Sequence, residues 1–133
     1  MLPARARLRR EAELHTVTRR GVRARRDDLT VHLLSTSAFV REHPALAGSA
    51  ARAAVVVGRA VGGATVRNRL RRRVRHGLAD VWGQLPDGSQ LVVRAGPGVG
   101  RLDSAQLRSA LGAALTLAAA RGAGQNSRRG APS

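Results

Sequence analysis

The chain has 133 residues, 24 of them basic and 8 acidic, with a formal net charge of +16 and no cysteine. That length fits one domain around one modest core; the self-repulsion favours a polyanionic partner, nucleic acid or an anionic membrane surface; the lack of thiols excludes disulfides and thiolate metal sites and fits a cytoplasmic protein. The longest apolar stretch, ALGAALTLAAA at 110–120, has 11 residues against the roughly 20 that span a bilayer, and no apolar segment follows the basic N-terminus, so neither a membrane span nor a secretory signal is expected.

Residues 1–10 read as a basic, irregular arm that includes Arg7 and Arg9. EAELHTVTRRG (11–21) predicts a short helix with Leu14 and Val17 three apart and Gly21 as its stop. DLTVHLLS (28–35) alternates Leu29, Val31 and Leu33 with Thr30, His32 and Leu34, the pattern of a strand with one face inward. Residues 36–51 mix Ser, Pro, Gly and Ala and are expected to loop. RAAVVVG (52–58) is a β-branched run suited to an interior strand. Gly62-Gly63 marks a turn and Thr65 is a candidate N-cap. A helix is predicted over 66–83, where Val66, Leu70, Val74, Leu78, Val81 and Trp82 recur at three- and four-residue steps. SQLVVRA (89–95) predicts a third strand, and GPGVG after it a loop. DSAQ (103–106) has capping-box form and opens a last helix with Leu107, Leu111 and Leu115 on one face, closing at Arg121 and Gly122. The polar, Gly-rich residues 122–133 read as a disordered tail outside a single domain of 1–121. The expected fold is α+β, an α-β-β-α-β-α two-layer sandwich with helices packed on one small sheet.

VRNRLRRRVRH (66–76) holds six arginines in eleven positions, and no acid occurs between Glu42 and Asp80. On a helical wheel Asn68, Arg69, Arg72 and Arg75 lie opposite the apolar stripe and Arg71 flanks it. A solvated face normally interleaves acids with bases four apart. Arg67 and Arg69 moreover occupy the first turn, where the helix dipole disfavours cations by about 0.3–1 kcal/mol each. Charge placed against stability in this way points to a polyanionic ligand. Guanidinium pairs bidentately with phosphate and stacks on bases; Asn68 adds a donor and an acceptor able to read a base edge. Every basic residue is Arg, Tyr is absent, and Phe and Trp occur once each, so any base stacking must rely on Arg, His or very few rings.

GGATVRNRLRRRVRHGL (62–78) closely resembles the signature of the bacterial ribonuclease P protein family: a small-residue turn, then Arg-Asn-Arg opening a basic helix with an apolar stripe. RLRR (7–10) before a short helix ending at Gly21, paired strands, LVVRA (91–95) and a final helix keep the family's order, so the resemblance covers residues 5–121. It implies a protein that catalyses nothing alone. An RNA subunit would perform Mg²⁺-dependent hydrolysis that frees the 5′ leader of precursor tRNA, while the protein binds that RNA, grips the leader in a cleft on its sheet and strengthens binding of functional metal ions. No protein partner is implied. The resemblance places Arg67, Asn68, Arg69, Arg71, Arg72 and Arg75 in the RNA-facing motif, and Leu14, Thr18, Thr30 and His32 in the leader cleft. It also implies a left-handed β-α-β crossover, against the general rule of handedness. Leu14 and Thr18 stand where the family usually has aromatics, and His32 where tyrosine is common.

Two other function classes are weighed against this one. For an enzyme working with its own side chains, Asp27-Asp28 is the only adjacent acidic pair, and neighbours on a strand point to opposite faces. His15, His32, His43 and His76 are scattered, with no metal-ligand or triad spacing. A ribosomal or other structural RNA-binding protein with no role in cleavage fits the composition equally well, and only the order of motifs argues against it.

Overall fold

The computed structural model describes residues 11–34, 51–85 and 88–130, so the arm with Arg7 and Arg9 and the loop expected at 36–51 fall largely outside the described residues. Helix α1 (Glu11–Arg20) leads into strand β1 (Val22–Arg26) and strand β2 (Leu29–Leu34). Strand β3 (Arg52–Val57), helix α2 (Ala64–Asp80), strand β4 (Gln90–Ala95) and helix α3 (Ser104–Gly130) complete the order, with short 3₁₀ turns between them.

Strand β1 is the element that sequence periodicity does not reveal. VRARR carries three arginines and only Ala24 is buried, so no clear apolar alternation marks it. Its pairing comes from the two-residue turn Asp27-Asp28, whose φ values of 50° and 65° are those of a type I′ hairpin. Aspartate is among the few non-glycine residues that tolerate this region. The turn fixes the antiparallel register from Arg26↔Leu29 to Val22↔Leu33. It also anchors the loop after β4: the Gly98 N–H donates to Asp28 Oδ2 at 2.8 Å, and the Gly96 N–H to the Asp28 carbonyl at 3.0 Å. A Cβ on Gly96 would lie 2.4 Å from the Asp28 carboxylate, so a side chain there would displace the carboxylate that accepts from Gly98.

The four strands form one mixed sheet in the order β1-β2-β4-β3, antiparallel except for the parallel β3–β4 pair that α2 connects. The expected α+β class with helices on a single sheet is what forms, with a fourth strand added. Helices occupy both faces. One face packs Ala24, Val31, Val55 and Val93 against Leu70, Val74 and Leu78 of α2 and Leu107, Leu111 and Leu115 of α3. The other face carries α1 over a smaller cluster of Val17, Leu34 and Val92.

Helix α2 starts earlier than its apolar stripe suggests. Gly63, extended at φ −70° and ψ 177°, is the N-cap with no side-chain cap, so Thr65 lies inside the helix and caps nothing. Val66 leaves the stripe and is 49 % exposed, and Trp82 belongs to a 3₁₀ turn after the helix. At the start of α3 the capping box forms as expected: Gln106 N–H donates to Asp103 Oδ1 at 2.7 Å, and Asp103 N–H to Gln106 Oε1 at 2.9 Å. The far end differs from expectation. Gly122 does not take the positive φ of a capping glycine, and the helix runs through it to Gly130. Arg121 Nη1 donates to the Arg23 carbonyl at 2.7 Å, docking that turn on β1 and favouring continuation. Among the described residues no helix is long and apolar enough to cross a membrane.

Candidate nucleic-acid interface

Helix α2 buries Leu70, Val74, Gly77 and Leu78 and turns the arginine run outward. Its approach to α3 is close, since a Cβ on Gly77 would meet Leu111 Cδ1 at 3.0 Å. Asn68, Arg69 and Arg72 are exposed, whereas Arg67, Arg71 and Arg75 are half-buried. The six therefore do not form one uniform face. Arg67 falls in line with the apolar stripe at its outer end, and its Nε is buried without a hydrogen-bond partner. Asn68 Oδ1 accepts from Arg71 Nη1 at 2.6 Å, which holds that guanidinium in place and leaves the Asn68 NH₂ group outside the bond. The asparagine thus orders the arginines as well as offering them a different neighbour. Arg73, the one arginine of the run with no assigned RNA contact, donates to the Leu102 carbonyl and ties α2 to the chain entering α3. A groove of ≈ 460 Å³ continues the basic surface between the two helices, lined by Arg72, Arg73, His76 and Arg108, with Asp80 paired to Arg108 at 3.7 Å.

The opposite face of the sheet holds the second candidate surface. Helix α1 presents Glu11, Leu14, His15 and Thr18 at helical spacing to a cleft of ≈ 540 Å³ whose other wall is Val92 and Arg94 of β4. Leu14 and Thr18 are thereby brought together. The Thr18 hydroxyl donates back to its own helix, 3.1 Å from the Leu14 and His15 carbonyls. Thr30 and His32 project from the same sheet face, Thr30 in register with Arg94 and His32 with Val92. They are not cleft walls: His32 is only 9 % exposed, and its Nδ1 is buried without a partner. Burial first, then the positive charges of Arg94 and Arg23, hold its pKa below the ordinary 6.5, so the ring is neutral at pH 7 and forms a floor.

The ring that lines the cleft is His15, which is exposed. The sequence carries a signal for it, since 11, 14, 15 and 18 share one helix face. Arg94 was equally legible as the sole polar interruption of LVVRA, but only the sheet register shows which face it serves.

Under α1 lies a buried ion pair, with Glu13 Oε2 3.1 Å from Arg52 Nη1 and side chains 3 % and 16 % exposed. It clips α1 to β3, the far edge of the sheet, and so fixes how far the cleft wall stands from its floor.

Known proteins resemble the chain in sequence and in fold. The sequence model of the family described as Ribonuclease P matches residues 2–119. The ribonuclease P protein component of Streptomyces bikiniensis is 50 % identical over 115 residues, covering 86 % of this chain and 93 % of its own length. That of Mycobacterium sp. (strain KMS) is 41 % identical, covering 86 % and 91 %. Among solved structures, the RNase P protein of Staphylococcus aureus superposes with a TM-score of 0.67 at 17 % identity, covering 85 % of this chain and 94 % of that one. The RNase P protein of Thermotoga maritima gives 0.64 at 25 % identity, covering 84 % and 94 %.

Proposed function

The chain belongs to the ribonuclease P protein family, a component of the ribonucleoprotein endoribonuclease that matures precursor tRNA at its 5′ end, and on that premise we propose how its two surfaces divide the work. The outward face of α2, with Arg67, Asn68, Arg69, Arg71, Arg72 and Arg75, seats the catalytic RNA. The cleft between α1 and the sheet takes the single-stranded leader of precursor tRNA, with Leu14 and Thr18 on its wall and Thr30 and His32 on the adjoining floor. The observation that carries this reading is that the two surfaces lie on opposite faces of one sheet, so one protein can hold two RNAs at once. Arg7 and Arg9 in the N-terminal arm extend the RNA contact, and the place of action is the cytoplasm.

The protein supplies binding and orientation and no catalytic group. We assign Mg²⁺ mainly to the RNA subunit. The arginines contribute by screening phosphates that would otherwise repel one another.

The test replaces Arg69, Arg72 and Arg75 by Gln, a good helix former, so helicity is unchanged. Affinity for the catalytic RNA should fall, and the dependence of log K on log salt should weaken by ~0.7–0.9 for each phosphate that the protein no longer neutralises. An unchanged salt slope would show that these side chains do not meet phosphate.

A further inference from the structure

Between α2 and α3 the groove of ≈ 460 Å³ reaches past the RNA-facing arginines and shares only Arg72 with them. Its α2 wall is a single line of side chains four residues apart, Arg72, His76 and Asp80, all of them exposed. Eight residues of helix set the ends of that line about 12 Å apart. Ser104 and Arg108, also four apart, form the facing wall on α3, and buried Gly77 and Leu107 close the floor. The two floor residues adjoin, since a Cβ on Gly77 would stand 3.6 Å from Leu107 Cγ. Arg73 fixes the head of the groove by donating to the Leu102 carbonyl just before α3.

We propose that this groove binds one unpaired guanosine of the catalytic RNA. Its phosphate meets Arg72, its base lies over Leu107 beside the His76 ring, and its Watson–Crick edge meets Asp80. The proposal rests on the reading of α2 as the seat of that RNA. It adds a base-reading site, so that the seat recognises sequence as well as charge.

The order of charges along the groove selects a nucleotide over a run of backbone. Asp80 is the one carboxylate in the lining, and it stands at the end opposite Arg72. A second phosphate there would be repelled, so a backbone cannot follow the groove along its length. The acid is also placed against helix stability. It is the last residue of α2, where the helix dipole disfavours an anion, and no basic residue shares that turn. Arg108 reaches Asp80 Oδ2 only at 3.7 Å, beyond hydrogen-bond length, and both side chains are at least half exposed. Such a pair contributes little to stability and leaves the carboxylate oxygens able to accept. Guanine alone among the four bases presents two adjacent donors on its Watson–Crick edge, N1–H and the N2 amino group, matched to the two oxygens of a carboxylate. Arg108, turned away from Asp80, can stack its planar guanidinium on the base, and His76 supplies a ring from the other wall. At the far end Arg72 pairs with the phosphate.

The experiment compares wild-type protein, H76A, D80N and, as a reference on the outer face of α2, R69Q, each bound to the full-length catalytic RNA. Affinity is measured over a range of salt at fixed Mg²⁺, and reagents that modify guanine N1 and N2 map which guanines the protein covers. Thermal denaturation of each free protein checks folding. Wild type should protect the Watson–Crick edge of one unpaired guanine. H76A and D80N should each re-expose that guanine and bind several-fold more weakly. H76A should keep the wild-type salt slope, because a stacked ring neutralises no phosphate. Changing that guanine to adenine should cost wild type the same factor and cost D80N nothing further. The sign for D80N is decisive. Removing a carboxylate from a surface that meets only phosphate raises affinity for RNA, so equal or tighter binding overturns the proposal. Losses without a re-exposed guanine overturn it as well and assign both residues to the packing of α2 on α3. A guanine covered only when precursor tRNA is added, and belonging to that RNA, overturns the choice of partner. R69Q should lower the salt slope by ~0.7–0.9. If it does so while H76A and D80N match wild type, the seat stands and the base site falls. If none of the three changes binding, both readings fall.

Discussion

The pair between Glu13 and Arg52 gives the sharpest test of how the cleft is held. At 3.1 Å and an effective dielectric of 20, the gross attraction is about 5 kcal/mol. Desolvation cancels much of that, so the pair adds little relative to apolar residues of the same size. Losing one partner is different, because the other charge stays buried. Glu13→Ala removes the Glu13 carboxylate from beside Arg52, whose side chain is only 16 % exposed, and the expected loss is about 3 kcal/mol, towards the lower end for a broken buried pair. For a chain of this size that corresponds to a Tm lower by on the order of 10 °C. The double variant Glu13→Leu/Arg52→Met removes both charges and should return to within about 1 kcal/mol of wild type. Denaturant unfolding of the three proteins measures both numbers. Because α1 carries the cleft wall, Glu13→Ala should also weaken leader-bearing tRNA while leaving the salt slope alone. The double variant should recover that affinity. If Glu13→Ala costs less than about 1 kcal/mol, the pair is solvent-screened like a surface contact and does not position the helix.

Two further outcomes follow from local features. With a folded-state pKa below the unfolded 6.5, His32 gives full stability above that pH, and this is lost as the pH falls towards the folded value, because the unfolded chain takes up the proton first. Unfolding free energies of wild type and His32→Gln should therefore converge as the pH is lowered through and below 6.5, and parallel curves would refute a neutral buried ring. Asp103→Ala removes the reciprocal cap of α3 and should cost about 1 kcal/mol in denaturant unfolding. An effect below a few tenths would mean that solvent satisfies those N–H groups equally well.

Elements whose evidence is local were legible in the chain itself. Leu70, Val74 and Leu78 recur at the helical period and are all buried in α2. Asp103 and Gln106 sit at capping-box spacing and make both bonds of the box. The alternation through Leu29, Val31 and Leu33 assigned Thr30 and His32 to the face opposite the main core. Strand β1 was not legible, because VRARR has one buried residue and owes its strand geometry to hydrogen bonds with β2 across the Asp27-Asp28 turn. Nor was the burial of His32 or Glu13, since a side chain's face follows from its own neighbours in sequence but its cover comes from elsewhere. What lies over His32 is decided by β1, β4 and the helix on that face, and what neutralises Glu13 is an arginine 39 positions away. Periodicity assigns each residue a direction; only the pairing of distant strands and the choice of sheet face for α1 decide what that direction meets.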